Sequence, residues 1–205
     1  MQERLQAMLE MLDKAEIAEI VQTERAARDQ AQWARMFNTY HLDAEVGVSW
    51  FQGSGPDFVA ASRRMYEAGH HSAHQMGPTL VTLNGDRALA HTPCAVVART
   101  RLQGVEVEVT THARLHERMV RRAGAWRIAR MGIVYLRDGL VVVNPSERVA
   151  LDVARLADFR ATYRFLSYLL AEIGQQPRLD LPGTDRPETV QPLLDSDDAW
   201  LAGAG

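Results

Sequence analysis

From residue 71 to residue 137 the sequence is a succession of strand-like runs cut by short turns, and this feature limits the fold more than any other. Asn84-Gly85-Asp86, a turn near Gly104 and Ala123-Gly124 divide it into runs over 71–83, 88–101, 105–120 and 126–137. Glycine-containing turns between long alternating runs are the pattern of consecutive hairpins, because tight hairpin loops need the left-handed conformations that glycine takes easily. The expectation is an antiparallel meander with strong curvature.

Helical texture flanks this meander. Leu5, Met8, Leu9 and Leu12, followed by Ile17, Ile20 and Val21, recur at three- and four-residue spacing, which predicts an N-terminal helix or helix pair. Trp33, Met36 and Phe37 mark a short second helix, and residues 45–51 alternate like a strand with Val46, Val48 and Trp50 on one side. Ser54-Gly55-Pro56-Asp57 supplies an N-cap, an early proline and an acidic third position, which predicts a helix over 58–67. Beyond Pro145, the stripe Leu156, Phe159, Tyr163, Leu166 and Leu170 reads as helix. A proline-rich loop over 174–187 then leads to a last helix bearing Val190, Leu193, Leu194, Trp200 and Leu201. Helices first and a curved sheet after them give an α+β class: a cone-shaped curved antiparallel sheet packed on N-terminal helices. The predicted division is a domain over 1–145 and a helical C-terminal extension over 146–205, whose apolar stripe must be covered by its own domain or by a neighbouring subunit.

Composition narrows the function classes. The chain has 205 residues, 46% of them hydrophobic, enough for one sizeable core. A net charge of −3 leaves no electrostatic footprint for nucleic acid or an anionic membrane, and Arg114, Arg118, Arg121 and Arg122 read as a solvated hairpin. Cys94 is the only cysteine, which excludes an internal disulfide and a cysteine-based zinc site and suits a reducing cytoplasm. Glu3, Arg4, Glu10 and Asp13 interrupt the apolar residues of the N-terminus, and no stretch approaches the roughly 20 apolar residues of a membrane span, so a soluble cytoplasmic protein is expected. Phosphate-cradling glycine loops, dinucleotide fingerprints and Gly-x-Ser-x-Gly elbows do not occur in the sequence.

The order helix, helix, strand, helix and four long strands, closing on Gly124-Ala125-Trp126-Arg127-Ile128, resembles the nuclear transport factor 2-like superfamily and its SnoaL-like branch. Residues 33–37 running into Asp43-Ala44-Glu45-Val46, and the hairpin Asn84-Gly85-Asp86-Arg87-Ala88, carry the likeness, which spans roughly residues 15–140. The resemblance implies a cystatin-like α+β barrel with a deep pocket. Its members include scytalone dehydratase, hexachlorocyclohexane dehydrochlorinase and cofactor-free lyases of diarylpropanes, together with non-catalytic binding modules and ring-hydroxylase accessory subunits. Aligning Asp43-Ala44-Glu45 with the dehydrochlorinase segment places Asp29 on that enzyme's catalytic aspartate and His74 on its histidine.

The residues themselves are suited to such chemistry. A histidine held in its basic tautomer by a carboxylate is the minimum kit for cofactor-free elimination, isomerisation or retro-aldol cleavage. The expected roles are His74 as base, Asp29 as its orienting partner and Tyr135 as the hydroxyl that steadies a developing oxyanion. His74 is expected to share one side of its strand with Met76, Pro78 and Leu80. The competing readings are a buried structural histidine for His74 and a cap on the helix of Trp33 for Asp29. Tyr40, Trp50, Met65, Met76, His112 and Arg137 are candidate substrate-binding residues, with a polar outer face as the alternative place for His112. His70, His71, His74, His112 and His116 are numerous enough to raise a metal site, but their spacing matches no ligand motif, and neither a metal nor an organic cofactor is expected. The anticipated partner is a small apolar cyclic or aromatic substrate, in a homodimer or homotrimer.

Overall fold

The protein is described by a computed structural model covering residues 1–203, and it has a mixed α+β architecture with N-terminal helices against a curved, open sheet. The first helix, α1 (Gln2–Asp29), is single and long. Its second half buries Ile17, Val21, Glu24, Arg25 and Ala27 on one face, whereas Leu5, Met8, Leu9, Met11 and Leu12 are exposed. The chain leaves α1 through Ala31, whose φ is +56°, with the Gln32 N–H donating to Ala27 O at 2.8 Å. A left-handed residue just past the last turn stops a helix, so Asp29 ends α1 instead of sitting inside it. Next, α2 (Trp33–Phe37) buries Met36 and leaves Phe37 exposed.

The run expected over 45–51 is a hairpin. Strand β1 (Tyr40–Val48) turns through Ser49-Trp50 into β2 (Phe51–Ser54), with Val48 opposite Phe51, so Trp50 occupies the turn and not a strand face. Helix α3 (Gly55–Glu67) starts where its cap signals place it: Ser54 Oγ accepts from the Asp57 N–H at 3.1 Å, ahead of which Pro56 has no N–H to satisfy.

The run expected over 71–83 is two strands, β3 (Ala73–Met76) and β4 (Leu80–Asn84), both antiparallel to β5 (Arg87–Leu102). The break lies at Gly77, whose N–H donates to Pro93 O at 2.7 Å and where a Cβ would stand 3.2 Å from that oxygen. Pro78 follows without an N–H to continue the ladder. Pro78 and Leu80 are exposed, so they do not share the side of His74 as the uninterrupted alternation implied.

Long strands β6 (Val105–Arg122) and β7 (Ala125–Val142) complete the meander. The loops Gln103-Gly104 and Ala123-Gly124 have φ of +52° and +84°, and +51° and +79°, the two-residue type I′ geometry that matches strand twist. The strand order is β2-β1-β7-β6-β5-β3, with β4 also on β5. It is not antiparallel throughout: β1 runs parallel to β7, as Tyr40 opposite Ile128 and Val46 opposite Met131 show. Register shifts at His112/Ala113 and Arg118/Met119 add local bending to β6 and β7.

The stripe from Leu156 to Leu170 is not one helix. It divides into α4 (Val153–Ala157) and α5 (Arg164–Glu172), because Asp138 on β7 accepts the Phe165 and Leu166 N–H groups at 2.7 and 3.0 Å and starts α5 afresh. Between them Arg160 pairs with Asp185 at 2.7 Å. A 3-10 turn (Pro187–Thr189) precedes α6 (Gln191–Leu201). This C-terminal segment lies on its own chain: the Tyr163 ring is 4.2 Å from that of Tyr135, and Arg87 and Asn84 each donate at 2.7 Å to the last carbonyls of α6. Among the described residues, no helix is long and apolar enough to cross a membrane.

Candidate active site on the inner face of the sheet

The last residue of α1 meets strand β3. Asp29 Oδ1 lies 2.7 Å from His74 Nδ1, and Asp29 Oδ2 accepts the His74 backbone N–H at 2.6 Å. This two-point contact fixes both the ring and the strand that carries it. A carboxylate at a helix C-terminus opposes the helix dipole, so Asp29 gains nothing from its own helix. What holds it ionised is the pair of His74 hydrogen bonds, with Arg28 at 3.6 Å adding to them; together these outweigh burial and set its carboxyl below the usual carboxylate range. Asp29 does not cap α2, whose N-cap residue is Gln32 and which has no side-chain cap.

The His74 side chain is 6% exposed. Burial, more than the opposing pull of Asp29, takes its pKa down to about 4, so the ring is neutral at physiological pH. With the Nδ1 proton donated to Asp29, the lone pair is on Nε2, which has no hydrogen-bond partner among the described residues.

His74 lines a cavity of about 260 Å³ between the inner face of the sheet, the end of α1, α3 and α5. Trp50, Met65 and Tyr135, all expected here, line it too, while Asp29 stands behind His74 outside the lining. Tyr135 accepts a hydrogen bond from the Ser49 N–H at 3.2 Å, and burial raises its pKa, so its hydroxyl stays protonated with the proton free to donate. Leu166, Leu169 and Leu170 of α5 wall the cavity from the C-terminal side.

Four predicted residues are elsewhere. Tyr40 is buried in the core, donating to Glu24 Oε1 at 2.8 Å. Met76 packs against the core beyond the cavity. His112 and Arg137 are opposite one another across β6 and β7 and belong to the outer face, because the period of two turns the buried Thr111 and Ala113 inward. The five histidines also fail to converge: His70, His71 and His74 line the cavity, whereas His112 and His116 lie on the opposite side of the sheet.

Among the cavity residues that the sequence reading missed are Arg25 and Arg28. Arg25 pairs with Glu24, whose charge outweighs burial and holds the guanidinium firmly protonated. Arg28 donates to Ser72 Oγ at 3.0 Å, and its Nε is buried without a partner. Burial, with Arg25 adding to it, lowers its pKa to about 10, so it too stays charged. The sequence held a signal for Arg25, which is four residues before Asp29 and so shares its helix face, but none for Arg28, one residue before it.

The SnoaL-like domain model matches residues 9–132. The chain belongs to the SnoaL-like domain family. Among sequence relatives of this SnoaL-like protein, a PEP2-like protein of Fusarium vanettenii is 26% identical over 205 residues, covering 94% of this chain and 87% of the relative. Pea pathogenicity protein 2 of the same fungus is 24% identical over 196 residues, covering 93% and 84%. Among solved structures, a type 2 hexachlorocyclohexane dehydrochlorinase (LinA) superposes with a TM-score of 0.59 at 13% identity, covering 70% of this chain and 97% of its own. A scytalone dehydratase-like protein of Novosphingobium aromaticivorans gives a TM-score of 0.53 at 13% identity, covering 71% and 96%. At that identity the likeness concerns the fold alone. The matched family region ends at residue 132, so α5 contributes its cavity wall from outside it.

Proposed function

We propose that this SnoaL-like protein is a cofactor-independent lyase for a small, largely apolar cyclic or aromatic compound. The observation that carries the reading is the neutral His74, locked by Asp29 at Nδ1 and through its own N–H, with Nε2 left for a ligand in the cavity. His74 Nε2 takes a proton from substrate carbon or hydroxyl, and Asp29 steadies the imidazolium that forms. In a dehydration, the electron pair of the broken C–H bond forms the double bond and the hydroxyl leaves as water with a proton returned by His74. In a retro-aldol cleavage, the deprotonated hydroxyl becomes the aldehyde carbonyl, the C–C bond breaks, and the released carbanion takes the proton back. Tyr135 and Arg28 face the oxygen that gains charge in either case.

Supporting features are consistent in size and chemistry. A volume of about 260 Å³ suits a one- or two-ring compound better than a steroid. Trp50, Phe58 and the leucines of α5 provide apolar surface, and Arg28 Nε, buried and unpartnered, provides a donor for one substrate oxygen. The names of the two structural neighbours, a dehydrochlorinase and a dehydratase-like protein, both denote eliminations.

A thermal-shift screen of small aromatic, cyclic and polyketide-like compounds, followed by turnover of the hits, tests the reading. Hits that wild-type protein converts and His74→Ala binds without converting are the expected result. Hits bound equally by both and converted by neither would make this a binding module. In the same reading the protein is a homo-oligomer, supported by the exposed apolar residues Leu5, Met8, Leu9 and Leu12 on α1, and a monomer in light scattering at working concentration overturns that part.

A further inference from the structure

On the outer face of the sheet, His91 of β5 and His116 of β6 are direct cross-strand neighbours, with ring centroids 4.2 Å apart. Helix α6 lies over them and brings Asp197, whose Oδ2 is 3.6 Å from His116 Nδ1. One ligand-capable atom from each of the three falls within 4.8 Å of the others. The cluster is largely covered: His116 is 4% exposed and Asp197 3%, while His91 is half-buried with its Nε2 shielded. It is also unsatisfied, because His116 Nδ1, His116 Nε2 and His91 Nε2 are all buried without a hydrogen-bond partner.

That arrangement has a physical difficulty as it stands. A neutral imidazole carries one N–H donor and one acceptor nitrogen, and His116 satisfies neither, although buried polar groups normally find partners. Hydrogen bonding does not resolve it internally, since 3.6 Å from His116 to Asp197 is too long. Asp197, by contrast, is well anchored: its Oδ1 accepts from Arg118 Nε at 2.8 Å, and Arg118 Nη2 donates to the neighbouring Ser196 Oγ at 2.8 Å. The carboxylate is therefore aimed, its Oδ2 turned toward two imidazoles with unused nitrogens.

We propose that His91, His116 and Asp197 bind a divalent transition-metal ion of the zinc class, which fastens the C-terminal helix α6 to the outside of the sheet. Two imidazoles and a carboxylate are a borderline-soft donor set of the kind that suits such ions and not Ca²⁺ or Mg²⁺. Tetrahedral ligation at about 2.0–2.1 Å needs the donors roughly 3.3 Å apart, so the side chains close in by about an ångström, with water in the fourth position. Arg118 stays on Asp197 Oδ1 as the outer partner that orients the ligating carboxylate. The ion joins three elements, β5, β6 and α6, whose ligands are far apart in sequence, so its binding ties the C-terminal helix to the sheet. It lies on the opposite face of the sheet from the His74 cavity, and the proposal is independent of the lyase reading.

Tag-free, chelator-treated protein titrated with Zn²⁺ by calorimetry, and with Co²⁺ by visible absorption, gives the test. The expected result is one equivalent bound, the intense d–d bands of a four-coordinate Co²⁺ site, and a rise in Tm of about 5–10 °C at a hundredfold excess over Kd. Asp197→Asn and His116→Gln should each abolish the Co²⁺ bands and the Tm rise while their metal-free circular dichroism matches wild type. If His116→Gln does not fold, His91→Gln reads the same site. His70→Gln/His71→Gln, which alters the more accessible histidines, should leave the Co²⁺ bands in place. No stoichiometric binding, bands that persist in Asp197→Asn, or bands lost in the His70/His71 variant instead would overturn the proposal.

Discussion

The two faces of the sheet treat histidine in opposite ways. On the inner face His74 is buried and lines a cavity, with one ring nitrogen tied to Asp29 and the other without a hydrogen-bond partner among the described residues. On the outer face His116 is buried at least as deeply, with both nitrogens orphaned beside an aimed carboxylate. Burial is alike; what differs is the distance to the acid, 2.7 Å against 3.6 Å. A carboxylate within hydrogen-bond reach sets a tautomer and makes a base, whereas one held just out of reach by an arginine leaves room for something between. Each face also has its own cover, α5 inside and α6 outside, both drawn from the chain beyond the matched family region.

The largest effect that separates the faces is on turnover. His74→Gln should lower kcat/KM by roughly 10²–10⁴-fold, the usual worth of a positioned base, and Asp29→Asn should follow it because the wrong tautomer is then favoured. His116→Gln should leave turnover unchanged on a converted substrate. Equal losses in both variants would erase the distinction between the faces. The acid limb of kcat/KM tests the same base by titration. With the folded pKa of His74 near 4, below its ordinary 6.5, activity should be level across pH 6.5 and fall only toward pH 4. The same depression means that stability contributed by neutral His74 is present above 6.5 and lost as pH drops through 4, a loss that His74→Gln should remove.

Much of this contrast was readable in the sequence, and the unread part has physical causes. The type I′ loop at Gln103-Gly104 fixes the register of β5 on β6, so counting back from it pairs His91 with His116. What no local pattern provides is Asp197, which arrives from a helix docked on the far side of a proline-rich loop. On the inner face, Asp29 and His74 were legible through resemblance; Arg25 was missed although it lies four residues before Asp29 on the same helix face, and Arg28, one residue before it, had no such signal. Pro78 and Leu80 were misplaced because the alternation was carried across Gly77, where close packing on Pro93 breaks the strand. Trp50 reached the cavity for an unforeseen reason, as a turn residue and not as one side of a strand. The tail stripe misled about length for a similar reason, since Asp138 restarts the helix from a different strand.

The inner face has an orphan of its own, which sharpens the comparison at smaller scale. Glu117 on β6 is fully buried with neither carboxyl oxygen hydrogen-bonded. Burial first, then repulsion from Glu24, raises its pKa to about 8 against the pull of Arg25. A folded pKa above the ordinary 4.5 means that this group favours folding most at low pH, and that the advantage is lost as pH rises from 4.5 through 8. Glu117→Gln should therefore gain in Tm relative to wild type between pH 5 and pH 8, by several degrees. A difference that stays constant with pH would show the acid to have an unseen partner, and would make the two orphans unlike.

The smallest effect concerns the inner cover alone. Asp138 Oδ2 accepts the two N–H groups that open α5, the role of a capping side chain supplied by another element, and it anchors the leucine wall of the cavity. Removing a cap costs about 1 kcal/mol, so Asp138→Ala should lower Tm by roughly 2–4 °C and weaken binding of any cavity ligand modestly. Asp138→Asn keeps an acceptor oxygen and should be nearly neutral at pH 5. Burial raises the Asp138 carboxyl to about 6, so wild type loses stability as pH climbs from 3.8 through 6, and the asparagine variant should draw ahead at pH 8. Metal affinity at the outer cluster should be the same in all three proteins, since α6 has its own contacts through Arg87, Asn84 and Arg118. A metal affinity that moved with Asp138 would mean that the two covers act as one unit, and the faces would then have to be treated as coupled.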